Sequence, residues 1–377
     1  MILGIDASNI RAGGGVTHLV ELLRAANPSV HGFEKVIVWG GKATLDKIDN
    51  CDWLQKVYDP LLDRSLPYRL LWQRFRLKKY AESVRCDMLF VPGGFDLSGF
   101  QNIVTMSQNL LPFDWDEMRR FGFSLTLMRL LLLRIIQSQS FYKADGVIFL
   151  TKYARDAVLK VTGTISGKIN IIPHGINSRF SMAPKSQSCH TYYYRLLYVS
   201  IVDVYKHQWH VAEAVAQLRA EGIPIILDLV GPPGGGILLL QEAMNRLDSE
   251  GAFITYRGSV PYEQLDGFYK NADIAVFAST CETFGMILIE AMSAGLPIAC
   301  SNRSAMPEIL GDAGLYFDPE DSHDIARALR ELINQPDLRQ QLAQAAFERA
   351  KQFTWRSCAN DTFDFLSKIT LAGSPSD

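Results

Sequence analysis

Cys281-Glu-Thr-Phe-Gly-Met-Ile-Leu-Ile-Glu290 is the stretch of this chain that says most about its fold. It follows an apolar run, Asp273-Ile-Ala-Val-Phe277, that is typical of a strand, and it opens a helix of small and apolar residues. This order places Glu282 in the turn after the strand and Glu290 one to two turns into the helix. In an open α/β sheet, ligands bind where strands end and helices begin, because free helix N–H groups attract phosphate. The two carboxylates therefore predict a site for a ligand with an anionic part and hydroxyl groups.

Length and composition predict a soluble protein of two domains. The chain has 377 residues, more than one hydrophobic core usually holds, and 48% of them are hydrophobic and 21% charged. The formal net charge of −2 argues against a nucleic-acid-binding protein, because such proteins neutralise many phosphates with basic residues. The six cysteines include no CxxC pair, so their spacing predicts neither a zinc site nor a disulfide framework. We expect free thiols in a reducing cytoplasm.

The apolar segments also bear on localisation. The chain opens Met1-Ile-Leu-Gly-Ile-Asp6, without the basic segment of a signal peptide. The most apolar run, 125–136, is short and carries Arg129 and Arg134, so it is not expected to span a bilayer. The sequence therefore predicts a cytoplasmic protein, with contact to the inner face of the cell membrane as an open alternative.

The order of apolar segments predicts two α/β domains. Short strands alternate with helices in both halves, which is typical of parallel sheets covered by helices on both faces. The pattern lapses between Ser178 and Arg195, where small polar residues and a proline indicate a linker. We therefore expect domains at 1–185 and 190–352, each doubly wound and Rossmann-like, with a ligand in the cleft between them.

The second half contains three distinctive motifs, Glu282-Thr-Phe-Gly285, Glu290-Ala-Met-Ser-Ala-Gly-Leu-Pro297 and Pro307-Glu-Ile-Leu-Gly-Asp-Ala-Gly314. They resemble motifs of the family-4 retaining glycosyltransferases of the GT-B fold. The resemblance covers about residues 195–350 and is weaker over the first half. It implies an acceptor-binding first domain and a donor-binding second domain. It also implies a C-terminal helix, at about 355–371, that packs back on the first domain.

The resemblance gives roles to particular residues. Lys206 would stabilise the negative charge that grows on the leaving diphosphate, although an isolated lysine at a helix start is usually solvated. Glu282 would contact the donor sugar, and Glu290 would accept hydrogen bonds from the ribose hydroxyls. For the loop Gly13-Gly14-Gly15 a flexible turn, and for His174 a structural role, stay open as alternatives. The further donor-binding candidates are Phe284, Gly285, Met286, Gly14, Gly15, His174 and Arg257.

Two positions depart from the family pattern. Ile201 stands where relatives commonly carry an arginine, and Arg257 or Arg179 is a candidate to replace its phosphate contact. Gln108 and Asn109 follow a strand after which many relatives carry a histidine. Both can hydrogen-bond an acceptor hydroxyl, but neither acts as an acid or base at neutral pH. That is consistent with retaining transfer, in which the leaving phosphate is thought to help deprotonate the acceptor.

No metal or cofactor is expected for this reaction, in which the nucleotide sugar is a substrate. Asp114-Trp-Asp116 spells the DxD sequence that binds a metal in other glycosyltransferases. Its place at a loop-to-helix junction instead favours an acidic helix cap. The loop Gly231–Gly236 does not match the nucleoside-triphosphate loop, which requires GxxxxGK followed by Ser or Thr.

A basic run extends from Arg64 to Arg85 and is interleaved with apolar residues such as Leu71 and Phe75. Such a run is most often the solvated face of a packed helix. The alternative is a surface for an anionic lipid or a lipid-diphosphate acceptor, which would bring a helix at 67–85 into peripheral contact with a membrane.

The resemblance thus implies a metal-independent hexosyltransferase. It would move a hexose from a nucleotide-sugar donor to a glycan or lipid-linked acceptor with retention of configuration, in the assembly of surface polysaccharide. Two alternatives stay open. A sugar-nucleotide epimerase would use the same fold without an acceptor, and a catalytically silent sugar- or nucleotide-binding protein would account for the missing arginine and histidine. The donor, acceptor, linkage and oligomeric state do not follow from the sequence.

Overall fold

A computed structural model describes residues 1–185 and 193–373, which fall into two compact units. Unit 1 comprises 1–113, 128–175 and the C-terminal segment from Thr354, and unit 2 comprises 114–127 and the described part of 176–353. The segment 114–127, which the sequence prediction assigned to the first domain, therefore belongs by its contacts to unit 2. Part of the predicted linker, 186–192, lies outside the described residues.

Every strand pairing that involves the named strands is parallel. The strands are β1 Ile2–Ala7, β2 Lys35–Gly40, β3 Leu54–Tyr58, β4 Met88–Val91, β5 Ile103–Ser107, β6 Gly146–Phe149, β7 Lys168–Ile171, β8 Tyr194–Val199, β9 Ile225–Val230, β10 Ile254–Tyr256, β11 Ile274–Phe277, β12 Ile298–Ser301 and β13 Leu315–Phe317.

Helices connect most of these strands, as is usual for parallel pairing, whereas β4 leads to β5 through a segment without a named helix. The helices are α1 Gly14–Ala25, α2 Lys42–Leu45, α3 Leu66–Trp72, α4 Lys78–Ser83, α5 Trp115–Arg119, α6 Leu125–Lys143, α7 Lys152–Thr162, α8 Gln208–Ala220, α9 Ile237–Leu247, α10 Leu265–Asn271, α11 Met286–Ser293, α12 Met306–Leu310, α13 Ser322–Asn334, α14 Pro336–Ala350 and α15 Trp355–Gly373.

The sheet of unit 1, counted over the described residues, has seven strands in the order β3-β2-β1-β4-β5-β6-β7. Its central strands are buried on both faces: β4 and β5 contain no exposed residue. This burial is typical of a parallel sheet that helices cover on both sides. The strand order reverses between β1 and β4, so the loops after these strands leave toward opposite faces. Such a reversal opens a crevice at the carboxyl ends of the two strands.

The sheet of unit 2 repeats this plan with six strands among the described residues, in the order β10-β9-β8-β11-β12-β13. Its order reverses between β8 and β11, which pair through Leu197 and Ala275. The loop after β8 leads to α8 and contains Lys206, and the turn after β11 leads to α11 and contains Glu282. The topology therefore brings the carboxyl ends of two strands, and the residues that follow them, to one place.

The C-terminal helix α15 is part of the core of unit 1. Phe363 is buried and its ring lies edge-on to that of Phe33, with centroids 6.0 Å apart. Ile369 lies over the first residue of β6, Gly146, where an added Cβ would come within 2.3 Å of Ile369 Cδ1. The absence of a side chain at Gly146 thus lets α15 approach the sheet closely.

The basic segment 64–85 is helical but not one continuous helix. A π-helical turn, Gln73–Leu77, separates α3 from α4. At this turn Gln73 is buried and its Nε2 donates to Asp6 Oδ2 at 2.5 Å. Arg69 donates to the Ser8 carbonyl at 3.2 Å, and Arg76 pairs with Asp59 at 3.1 Å. These two arginines therefore contact the protein itself, although the Arg76 side chain is still 51% exposed.

In the part of the chain that the structure describes, each helix is too short or too polar to span a bilayer. The most apolar run of the sequence, 125–136, lies in α6, which buries Leu130 and Phe141. Other apolar side chains of α6 face solvent, among them Met128, Leu132 and Ile135. Helix α6 therefore carries an exposed apolar face.

Candidate active site

The topological switch point of unit 2 brings the predicted catalytic pair together. Lys206 lies in the loop between β8 and α8, and Glu282 lies in the turn between β11 and α11. The Lys206 ammonium donates a hydrogen bond to Glu282 Oε1 and forms an ion pair with it. Sequence reasoning placed each residue at the end of a strand, and the structure places them in direct contact.

The surroundings of Lys206 keep its ammonium away from bulk water. The side chain is 6% exposed, and Nζ lies 4.9 Å from the ring centroid of Tyr205 and 5.4 Å from that of Phe277. Aromatic ring faces attract cations. The main chain is held as well, because the Lys206 carbonyl accepts a hydrogen bond from the Tyr198 hydroxyl at 2.6 Å. A buried cation requires an anion beside it. Glu282 fills that role here, and a phosphate group can fill it equally.

Gly285 makes the turn that separates Glu282 from helix α11. Its φ of 88° lies in the left-handed region, where glycine is strongly favoured, and an added Cβ would lie 2.8 Å from Met306 Cε. The first N–H groups of α11 follow directly, and such groups at a helix start attract phosphate. Ser304 fixes the main chain of Glu282, since its hydroxyl accepts from the Glu282 N–H at 2.8 Å and donates to the Glu282 carbonyl at 2.9 Å.

Glu290 is a buried acid on α11. Its Oε2 accepts a hydrogen bond from the Tyr269 hydroxyl at 2.9 Å, and Tyr262 is a second partner. Burial raises the pKa of Glu290 from 4.5 to about 7, although Tyr269 and the charge of Arg179 act in the opposite direction. The carboxyl group is therefore close to half-ionised at neutral pH. Hydrogen bonds from additional hydroxyl groups would favour its charged form.

Arg179 and Arg257, the two candidates to replace the missing arginine, differ in their partners. Arg257 pairs with Asp228 at 2.7 Å, so a carboxylate already neutralises its charge. Arg179 stacks on Tyr262, with its Cζ 3.7 Å from the ring centroid. Its Nε and Nη2 have no hydrogen-bond partner among the described residues. Arg179, whose charge acts on Glu290, is therefore the better placed of the two to receive an anion.

The other candidates on the α11 turn differ in what they offer a ligand. The Phe284 ring is buried and lies edge-on to Phe353, with centroids 5.5 Å apart. The side chain of Phe284 is thus part of the core. Met286, the first residue of α11, is partly exposed.

In unit 1 the structure brings together candidates from two loops. Gly14 and Gly15 begin α1 after Gly13, whose φ is 64°. An added Cβ on Gly15 would lie 3.8 Å from Gln108 Oε1, so these two residues are neighbours. The Gln108 amide donates to the Pro92 carbonyl at 3.1 Å. Asn109 is exposed, and its Oδ1 accepts from the Leu111 N–H at 3.1 Å. The acceptor-binding role of Gln108 and Asn109 stays a prediction.

His174 is also in unit 1, and it is 3% exposed. Its ring lies beside His18, at 4.6 Å between centroids, and beside Trp355, at 5.8 Å. Burial lowers the pKa of His174 well below its usual value. The side chain therefore lies in a buried cluster, and the donor-binding role given to it by the resemblance stays a prediction.

Sequence reasoning missed Glu117, an acid of α5 that belongs to unit 2. It is buried, pairs with Arg120 at 2.8 Å and hydrogen-bonds to Thr280, two residues before Glu282. Burial raises the pKa of Glu117. Asp114 caps α5, with its Oδ1 accepting from the Glu117 N–H at 3.1 Å, which agrees with the capping role predicted for the DxD sequence. An acid in a five-residue helix gives no periodic signal, so the sequence could not distinguish Glu117 from a surface residue.

Family models match both halves of the chain. The model described as Glycosyltransferase Family 4 matches residues 12–180, and the model described as Glycosyl transferases group 1 matches residues 185–349. The solved sucrose-phosphate synthase of Thermosynechococcus elongatus has 19% identity and a TM-score of 0.78, over 99% of this chain and 100% of that one. WaaG, a glycosyltransferase involved in lipopolysaccharide biosynthesis, has 16% identity and a TM-score of 0.72, over 97% and 99%. These likenesses confirm the predicted GT-B fold.

The chain belongs to the family-4, group-1 glycosyltransferases, as the sequence motifs predicted. Among curated relatives, O-antigen chain mannosyltransferase B of Escherichia coli is 30% identical over 234 residues. That match covers 61% of this chain, and it spans 60% of the length of the relative.

The raised pKa of Glu290 predicts a specific pH dependence of stability. The folded chain binds this proton more tightly than the unfolded chain, so the stabilisation is fully present below pH 4.5 and is lost as the pH rises to about 7. The loss from this one group amounts to about 3 kcal/mol. We expect Glu290→Gln to remove it, as measured by urea unfolding across this pH range.

The matched control is Glu242→Gln, at an exposed position of α9. It should leave the pH profile of unfolding unchanged. If the Glu290→Gln profile were as steep as that of the unchanged chain, the pKa of Glu290 would not be raised.

Proposed function

We propose that this protein transfers a hexose from a nucleotide-sugar donor to a glycan or lipid-linked acceptor, with retention of configuration and without a metal. The observation that carries the proposal is the buried Lys206 ammonium, held by Glu282 at the switch point of unit 2. Family membership supports the transferase class, and the relative named for O-antigen mannosyl transfer supports a role in surface polysaccharide assembly.

Lys206 would stabilise the leaving group. Negative charge accumulates on the diphosphate as the bond to the sugar breaks, and a fixed cation in a dry site stabilises that charge far better than water does. The ammonium is already buried between aromatic rings, so little reorganisation is needed when the phosphate arrives. The amides that start α11, after Gly285, would bind the same group from the other side.

The two carboxylates would hold the polyol parts of the donor. Glu290, with Tyr269 and Tyr262 as its present partners, would accept from ribose hydroxyls, and that would favour its ionised form. Glu282 would accept from hydroxyls of the donor sugar while Lys206 turns toward the phosphate. Arg179, with two donor nitrogens that lack a partner among the described residues, would supply the second cation in place of the missing arginine.

The acceptor would bind to unit 1 without an enzymatic base. Neither Gln108 nor Asn109 takes up a proton at neutral pH, and either can orient a hydroxyl by hydrogen bonding. In transfer with retention on one face of the sugar, the leaving phosphate itself would accept the proton of the acceptor hydroxyl. The side chains therefore need to position the acceptor rather than titrate.

A lipid-linked acceptor would require peripheral contact with a membrane, and one surface of unit 1 suits that contact. The exposed basic residues on the segment from α3 to α4 are Arg74, Lys78 and Lys79. The ring of Phe75 and the side chain of Leu71 are exposed beside them. Arg74 also shares a surface depression with Ile136 and Lys143 of α6, whose apolar face is exposed. Exposed apolar residues flanked by basic ones favour the interface of an anionic bilayer.

Replacement of Lys206 tests the catalytic assignment. A panel of UDP-, GDP- and ADP-sugars is first screened for thermal stabilisation to find the donor. With that donor and an acceptor that supports turnover, we expect Lys206→Met to lower kcat by about 10²–10³-fold, because the lost interaction forms mainly in the transition state. Release of nucleoside diphosphate measures the effect.

The control for this variant is Lys270→Met, at an exposed position in the same unit. It should keep full activity. Unfolding curves of both variants show whether the fold is retained. A folded Lys206→Met chain that turns over as fast as Lys270→Met would remove Lys206 from the mechanism.

Charge reversal tests the membrane surface. The triple variant Arg74→Glu, Lys78→Glu, Lys79→Glu should lose binding to vesicles that contain phosphatidylglycerol, because each basic residue contributes about 1 kcal/mol near an anionic bilayer. Co-sedimentation measures binding. The matched control reverses Lys152, Lys160 and Lys168, exposed residues elsewhere in unit 1. Equal vesicle binding by the two triple variants would rule out this surface.

A further inference from the structure

Unit 1 contains a buried cluster of three metal-ligating side chains that the proposed reaction does not use. His18 lies on α1, His174 lies in the loop after β7, and Cys358 lies on α15. One ligand atom from each lies within 4.8 Å of the other two. The exposed fractions of the three residues are 0%, 3% and 2%. Histidine is usually found at least partly exposed, so two histidines and a cysteine together in a core require an explanation.

A second, independent observation concerns the ring of His18. Neither Nδ1 nor Nε2 of its ring has a hydrogen-bond partner among the residues that the structure describes. Buried polar atoms are almost always paired, because an unpaired donor or acceptor loses its interaction with water without compensation. The aromatic neighbour, Trp355, has its ring centroid 5.9 Å away and offers no acceptor for this ring. A ligand bound by a nitrogen of His18 would supply the missing interaction.

We propose that His18, His174 and Cys358 bind a transition-metal ion through two nitrogens and one sulfur, and that Zn²⁺ is the ion that fits best. Imidazole nitrogen and thiolate sulfur are the ligands that Zn²⁺ prefers, whereas Mg²⁺ and Ca²⁺ prefer oxygen. Tetrahedral zinc places neighbouring ligand atoms about 3.3–3.6 Å apart. The side chains therefore need to move inward by no more than about 1.5 Å from the separation seen here. On binding, the Cys358 thiol releases its proton to solvent.

Burial raises the pKa of the Cys358 thiol, so a thiolate there would need a cation beside it. The backbone N–H of Gly175 and the hydroxyl of Thr362, one turn after Cys358, both face the sulfur. Groups that donate to a metal-bound sulfur orient the ligand and tune the metal. The backbone of Gly175 packs tightly against that of Trp355, because an added Cβ on Gly175 would lie 2.0 Å from the Trp355 nitrogen. The Thr362 hydroxyl, which faces the sulfur, would be a candidate for the fourth ligand.

The role that follows is structural. The ion would join three segments that are far apart in the chain: the helix after the glycine loop, the loop after the last strand of the sheet, and the C-terminal helix. It would hold α15 on unit 1 and anchor α1 to the core of the same unit. The expectation that sugar transfer needs no metal is unaffected, because the three ligands are enclosed in the core and offer no Lewis acid to a substrate.

Cobalt titration tests the site directly on the full chain. We expect the metal-free protein to bind one equivalent of Co²⁺, with the intense near-ultraviolet band of a thiolate-to-cobalt charge transfer, and Zn²⁺ to displace it. Cys358→Ser should abolish that band, and His18→Gln should lower the affinity for Co²⁺ at least tenfold. The control is Cys86→Ser, a partly buried cysteine elsewhere in unit 1 that should leave both the band and the affinity unchanged.

Stability provides a second readout, which does not depend on the cobalt band. Chelation followed by addition of Zn²⁺ should raise the melting temperature of the unchanged chain and of Cys86→Ser, but not that of Cys358→Ser. The proposal is overturned if the unchanged chain shows no charge-transfer band and no zinc-dependent shift. It is equally overturned if Cys358→Ser binds Co²⁺ with the same band and affinity, since the metal would then lie elsewhere.

Discussion

The candidate site depends on one interaction, the ion pair between Lys206 and Glu282. Each residue follows a parallel strand, and the two strands are neighbours only because the order of the sheet reverses between β8 and β11. The pair holds a cation in a nearly water-free place, where an unpaired ammonium would be strongly unfavourable. Under the proposed function, the ammonium would pass from Glu282 to a phosphate group of the same sign of charge without being exposed. The carboxylate of Glu282 would thus hold the ammonium in place until the anion binds.

Glu290, which lies farther along α11, is a buried acid in a different environment from that of Glu282. Glu290 has tyrosine hydroxyls as partners and forms no ion pair within the described part of the chain, so burial raises its pKa to about 7. Hydroxyl groups of a ligand would add hydrogen bonds to the charged form, and the free energy of those bonds would oppose the cost of burial. One helix therefore presents two features that suit different parts of one ligand: its N-terminal end, which attracts anions, and a buried acid one turn later.

Much of this could be predicted from the sequence, and the exceptions have physical causes. Strand ends and helix starts are local patterns, so Lys206, Glu282 and Gly285 were placed correctly on their loops. The contact between Lys206 and Glu282 depends on the order of strands, which no local pattern gives. Glu117 and the stacking of Arg179 on Tyr262 depend on packing across distant segments. Sequence reasoning missed the cluster of His18, His174 and Cys358 for the same reason, because motif spacing detects only ligands that are close along the chain.

A structure of the chain with its nucleotide-sugar donor, or with the nucleoside diphosphate, tests the central claim most directly. The account predicts that the Lys206 ammonium lies about 2.7–2.9 Å from an oxygen of the phosphate next to the sugar, at the start of α11, with its hydrogen bond to Glu282 Oε1 broken or shared. It also predicts the ribose hydroxyls on Glu290. A bound diphosphate that leaves the Lys206–Glu282 pair intact and lies away from the α11 turn would contradict the account.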